Sequence, residues 1–158
     1  MNLSIEEDVM GHIKVSMPID APVERVYEIA SDPHRWSSWW VNLGDAEKVE
    51  GDGGEGTVVE HKYLMAGFPF HVTTHVLENG PLPNGGKRIR LRFDGPLNGS
   101  QVWDYEPTDT GTLVTSEIDY NVPGSVVGKF ADELLIERIQ ERARHQGLEN
   151  LKLLVEAG

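Results

Sequence analysis

The chain has no cysteine, which excludes disulfides, a thiolate nucleophile and cysteine-ligated metal sites. It also lacks any apolar run approaching the ~18 residues that a membrane-spanning helix needs. Positive charge is scarce: 14 Lys and Arg stand against 26 Asp and Glu, a formal net charge of −12. Such a surface is repelled by phosphate backbones and by anionic lipid, so neither nucleic-acid binding nor membrane insertion is expected. The opening residues, MNLSIEEDVM, are acidic where a secretion signal is basic and then apolar, and the expected compartment is cytoplasmic.

What is present is a regular alternation of short apolar segments and turn signals in 158 residues. A chain of this length buries about two-thirds of the surface its unfolded form exposes. We read residues 12–158 as a single domain behind a loose lead-in over residues 1–11. Ile13, Val15, Met17 and Ile19 alternate with polar residues and predict a first strand. Pro22 opens a short amphipathic helix carrying Val23, Val26, Tyr27 and Ala30 at i, i+3, i+4 and i+7. Asp32 and Pro33 then have the chemistry of an N-cap and first helical position for a second short helix. That helix carries Trp36, Trp39 and Trp40, three of the four tryptophans.

Six further strands are expected over Ala46–Glu50, Thr57–Met65, Phe70–Leu77, Arg88–Phe93, Ser100–Glu106 and Leu113–Asn121, separated by glycine-, proline- and asparagine-rich turns. Ile89, Leu91 and Phe93 oppose Arg88, Arg90 and Arg92, so one face of the sheet is dry and the other wet. The last stretch, Ser125 to about Glu156, contains no proline and predicts one continuous helix roughly 45 Å long. Its apolar line runs through Val127, Phe130, Leu134, Leu135, Ile139, Ala143, Leu151, Leu154 and Val155 and drifts around the cylinder. A curved sheet with one dry face would bury it. Gly147 interrupts that helix at a cost of about 1 kcal/mol relative to alanine.

The segments IDAPVERVYEIASDPHRWSSW, GTLVT with YNVPG, and LENLKLLVE resemble the START-like, or SRPBCC, superfamily, most closely its polyketide cyclase/dehydrase-like branch, over nearly the whole chain from His12. The resemblance implies the α+β helix-grip fold: a seven-stranded curved antiparallel sheet, in the order β-α-α-β6-α, wrapped around a long C-terminal helix. It also implies a deep cavity between them, used by different members for cyclase chemistry, lipid or isoprenoid carriage, hormone sensing or chaperone contact. No shared catalytic residue can be transferred from it.

The candidate chemistry therefore rests on individual side chains. His61, Tyr63 and Met65 share a strand face that excludes Glu60 and Lys62, so the imidazole could move a proton and the phenol, or that of Tyr120, could steady an enolate oxygen. Mutual satisfaction within the core is the competing reading. His71 and His75 have the i, i+4 spacing of helical metal ligands, but the β-branched residues between them indicate a strand. There they would stand about 13 Å apart, too far to share an ion, and no metal site or other cofactor is expected. Parity leaves their face open, because Phe70, Val72 and Val76 inside would bring Glu78 with them. The similar aromatase/cyclases have an inward residue at the position of His75, which implies His71, Thr73 and His75 inside, with His75 as the alternative to His61 for the proton transfer and His71 and Thr73 against the ligand.

Trp36, Trp40, Phe93, Trp103 and Phe130 come from separate elements yet share an expected interior, and with Leu134 they suggest a lined pocket for an apolar ligand. Ordinary core packing would use the same rings. GDGGEG joins two strands rather than a strand and a helix, so it is a hairpin turn and not a phosphate loop. The expectation is a monomer or homodimer that binds a small hydrophobic, cyclic or aromatic molecule, with polyketide cyclase or dehydratase chemistry if it is an enzyme. The alternative is a non-catalytic carrier of a lipid, quinone or antibiotic.

Overall fold

The computed structural model describes residues 7–65, 67–128, 130 and 133–158. Alternating apolar and polar residues produce seven strands: β1 (Val9–Ile19), β2 (Lys48–Glu50), β3 (Val58–Met65), β4 (Phe68–Pro81), β5 (Lys87–Asp94), β6 (Asn98–Pro107) and β7 (Thr112–Val122). They form one antiparallel sheet in the order β1-β7-β6-β5-β4-β3-β2. Strands β2 to β7 meander, and β1 closes the far edge against β7, with Val9 opposite Val122 and Ile19 opposite Thr112. The strand β1 thus begins three residues earlier than the expected lead-in allows, because Val9 is buried against the partner strand. Residues 1–6 of that lead-in lie outside the described residues.

Two short helices, α1 (Val23–Ala30) and α2 (Trp36–Trp39), connect β1 to β2. The Asp32 carboxylate accepts from the His34 backbone N–H at 3.0 Å, capping a 3-10 turn over Pro33–Arg35. After α2 the chain lies along β3: Gly44 N–H donates to the Lys62 carbonyl at 2.8 Å and Leu64 N–H to the Asn42 carbonyl at 2.7 Å. This edge contact delivers Trp40 and Leu43 to the concave side of the sheet.

The C-terminal helix is divided. A four-residue turn, α3 (Gly124–Val127), ends at Gly128, Phe130 sits in a bend, and α4 runs from Glu133 to Glu156. The expected continuous helix also covered residues 129, 131 and 132, which lie outside the described residues. Gly128 lacks the helix propensity to carry the first turn forward. The buried face of α4 is Ile136, Ala143, Gly147, Leu148, Leu151 and Val155, whereas Leu134 is 52% exposed. The dry stripe therefore begins at Ile136 and not at Leu134. Gly147 faces the Trp39–Val41 backbone, the nearest atom lying 3.6 Å from where a Cβ would be, and Asn150 Nδ2 donates to the Trp39 carbonyl at 3.3 Å. A Cβ there would meet that backbone at ordinary van der Waals distance, and Gly147 has no part in the cavity wall.

Candidate functional site

The dry face of the sheet packs into two apolar clusters. One joins α1, α2 and the end of α4 through Val26, Ile29, Trp39, Tyr105, Leu148 and Leu151. The other gathers Met65, Phe70, Val72, Phe93, Ile118 and Ile136 nearer the start of α4. Between them runs a polar layer of His61, Thr74, Gln101 and Ser116, all buried, and Arg144 enters it from α4. A cavity lies against this layer, with about 40 Å³ of enclosed space inside a hollow of about 500 Å³ that includes its opening to solvent. The enclosed part suits a few waters and is smaller than the several hundred Å³ typical of a drug-sized ligand site.

Trp40, His61, Tyr63, Phe93 and Tyr120 line the cavity, together with Thr74, Gln101, Gln140 and Arg144. His61 Nε2 lies 2.8 Å from Thr74 Oγ1, while its Nδ1 is buried and has no partner. Burial, aided by His71, lowers its pKa to about 4, so the ring is neutral at pH 7. Tyr63 donates to Gln140 Oε1 at 2.6 Å, joining β3 to α4, and burial raises its pKa. Burial likewise raises Tyr120, with Glu137 and Tyr63 adding to the effect.

The Arg144 Nη1 donates to Gln101 Oε1 at 3.0 Å and to Ser116 Oγ at 2.8 Å. Its guanidinium carbon lies 5.8 Å and 5.5 Å from the Trp40 and Trp103 ring centroids, a distance at which the rings' negative faces attract the cation. The same Gln101 oxygen accepts from Trp103 Nε1 at 3.1 Å. Burial lowers the Arg144 pKa to about 10, which still leaves it charged.

Trp36 and Trp103 are buried behind the cavity and not in its wall. Trp36 packs edge-to-face on Trp40 at 5.6 Å and on His61 at 6.4 Å, and Trp103 meets Trp40 at 5.3 Å. The four tryptophan rings thus pack against one another. Phe130 is half-buried and packs edge-to-face on Phe68 at 6.0 Å, away from the described cavity wall.

His71, Thr73 and His75 do not face inward. Phe70, Val72, Thr74 and Val76 take the dry face of β4, His71 is exposed, and His75 Nε2 pairs with Asp94 at 3.1 Å on the wet side. The parity conflict with Glu78 is removed by a register slip between Val76 and Glu78. The extra residue, Leu77, turns Glu78 outward to meet Arg90 at 2.9 Å. Leu134, on the exposed side of α4, is likewise outside the wall.

Sequence reading missed Arg144, Gln101, Gln140 and Thr74. Arg144 lies in the polar run ERARHQ, where hydropathy indicates solvent. A signal was available: from Ile136 the buried positions of α4 step by threes and fours, and Gln140 and Arg144 fall on that track.

Among the described residues no group of three or more His, Asp and Glu side chains could hold a metal ion. No described helix is long and apolar enough to cross a membrane. Among solved structures, the chain is similar to the Zhui aromatase/cyclase from Streptomyces sp. R1128, with 20% identity, 94% of each chain covered and a TM-score of 0.71. It is also similar to TTHA0849 from Thermus thermophilus, at 19% identity, 95% and 97% coverage and a TM-score of 0.69. Norcoclaurine synthase from Thalictrum flavum, in complex with dopamine and hydroxybenzaldehyde, matches at 20% identity, 96% and 90% coverage and a TM-score of 0.57. At these identities the likeness fixes the fold. No curated protein sequence matches. Residues 10–156 match the family described as polyketide cyclase / dehydrase and lipid transport, and with the helix-grip architecture and an internal cavity in place, the chain belongs to that family.

Proposed function

We propose that the cavity binds a small cyclic or aromatic hydrophobic molecule and that His61, assisted by Tyr63, gives it polyketide cyclase or dehydratase activity. One observation carries this reading: a neutral imidazole shares the cavity wall with the rings of Trp40, Tyr63, Phe93 and Tyr120. In an aldol cyclisation a base takes a proton from a methylene between two carbonyls, and the carbanion attacks a further carbonyl carbon. The alkoxide formed is then protonated and leaves as water as an α-proton is lost. In this reading His61 carries both proton transfers, through the nitrogen that Thr74 Oγ1 holds at 2.8 Å. Tyr63, on releasing Gln140, can hydrogen-bond to the enolate oxygen, and Tyr120 supplies a second phenol in the same wall. Trp40 and Phe93 offer ring faces against which a folded chain can be held in a reactive conformer.

A non-catalytic carrier of a lipid, quinone or antibiotic is the second reading. It is favoured by the low basicity of His61, since a general base works best with a pKa near the operating pH. A linear poly-β-ketone mimic, followed by absorbance of the aromatic ring formed, separates the two. The expected result is turnover that falls roughly 100-fold or more in His61→Ala, with the dissociation constant, read from tryptophan fluorescence, within threefold of wild type. Binding without turnover in the wild-type protein would leave carriage. Absence of binding by the mimic and by any co-purifying molecule detected by native mass spectrometry would remove the cavity reading.

A further inference from the structure

Arg144 is a half-buried cation without a buried anion. Among the described residues it makes no ion pair within 4.0 Å of a carboxylate, although the chain carries 26 Asp and Glu. The ionisable neighbour that acts on it is Tyr63, a phenol and not a carboxylate. Both of its hydrogen bonds leave from Nη1, toward Gln101 and Ser116. A guanidinium has five N–H donors, so Nε and Nη2 are without partners in the described structure. Neither nitrogen is among the side-chain atoms sealed from contact, and Arg144 lines the cavity.

Removing a guanidinium from water is costly unless charge and hydrogen bonding are restored inside. Gln101 and Ser116 are neutral acceptors, and the rings of Trp40 and Trp103 contribute only a quadrupole. The charge is therefore held but not neutralised. Its planar fork presents donors spaced for the two oxygens of a carboxylate or for an oxygen anion of similar size, and the residue is part of the cavity lining.

We infer that the cavity's ligand carries one anionic oxygen group, a carboxylate or the anion of an acidic enol or phenol, which docks on the free donors of Arg144 while its apolar body lies against Trp40 and Phe93. This deepens the ligand-binding reading above and rests on it. The acidic exterior slows the approach of any anion, so the selectivity arises within the cavity and is only weakly screened by salt.

The test uses 2-naphthoate and 2-naphthamide, which differ in charge but hardly in shape, titrated into the full chain by calorimetry. Wild-type protein is expected to bind the naphthoate at least tenfold more tightly than the amide, with a ratio that changes less than twofold between 50 and 300 mM salt. Arg144→Met should bring the ratio to about one while the amide's affinity stays within threefold. Arg144→Gln provides the same comparison should the methionine variant not fold. An amide bound as tightly as the acid by wild type, or a preference that survives in a folded variant, would overturn the inference and leave the pocket intact. Binding of neither compound by wild type would count against the pocket itself and end both readings.

Discussion

Gly11 lies opposite Tyr120 in the β1–β7 register, and the Tyr120 ring lies where a side chain at position 11 would go. A Cβ built on Gly11 overlaps Cζ and Oη of that ring. The phenol can occupy the cavity wall because its strand partner has no side chain.

Gly11→Ala should therefore move Tyr120 and reshape the cavity without touching another wall residue. We expect a loss of about 1–3 kcal/mol in urea unfolding, as for an overpacked core, and a weaker affinity for aromatic ligands. The double variant Gly11→Ala, Tyr120→Leu should recover more than half of that loss, since the two changes share one contact. Additive losses would show that the strain lies elsewhere.

His61 gives a pH signature with a definite sign. Its pKa falls from 6.5 unfolded to about 4 folded, so between those values the unfolded chain binds more protons. Stability carries no penalty from this group above pH 6.5, decreases as pH falls toward 4, and is lower by about 3 kcal/mol below that. His61→Gln should flatten the curve over this window relative to wild type, as measured by denaturant midpoints at half-unit steps. A parallel pair of curves would mean that the imidazole is solvated.

His75 faces outward, away from the cavity that His61 lines. Its pair with Asp94 is partly exposed, and such pairs contribute between nothing and about 1 kcal/mol. His75→Ala should alter unfolding free energy by less than about 1 kcal/mol and leave ligand affinity unchanged. A loss of turnover comparable to that of His61→Ala would require β4 to present the other face.

That β4 was the hard strand has a physical cause. Alternation in β5 was directly legible, with Ile89, Leu91 and Phe93 buried and Arg88, Arg90 and Arg92 turned outward, because an unbroken two-residue period reads the same in sequence and in space. In β4 one inserted residue at Leu77 reverses the parity, and nothing in the composition of VLEN marks it. The strands, short helices and overall architecture were similarly visible through periodicity and turn chemistry. The division of the last helix and the phase of its N-terminal half were not, because Leu134 and Leu135 look apolar in any window while Ile136 is the side chain that reaches the core. Arg144 eluded hydropathy for the opposite reason: the partners that make its burial tolerable, Gln101, Ser116, Trp40 and Trp103, come from distant parts of the chain.

Tyr63 and Gln140 tie β3 to α4 through a hydrogen bond. Tyr63→Phe should lose roughly 1 kcal/mol, the ordinary net value of such a bond, because the half-buried Gln140 is not sealed from water. If the phenol also steadies a developing enolate, turnover of the poly-β-ketone mimic should fall by a further factor of 10 or more with little change in KM. A purely structural tie would change stability alone.

Gln101 allows the missing anion to be built into the protein. Its side-chain oxygen already accepts from Trp103 and from Arg144, so Gln101→Glu preserves the shape and both acceptor contacts while adding a negative charge 3.0 Å from Nη1. The new carboxylate adds an opposite charge to a hydrogen bond whose donor is already ionised and gives Arg144 the counter-ion it lacks. We expect a higher Tm at pH 7 and loss of that gain as pH falls through the carboxylate's folded pKa, because a paired carboxylate titrates below its unfolded value. The naphthoate preference should vanish while the naphthamide still binds. A lower Tm at pH 7, with the preference retained, would mean that the desolvation of the added charge exceeds its attraction to Arg144 and that the guanidinium is already balanced by Gln101, Ser116 and the two rings.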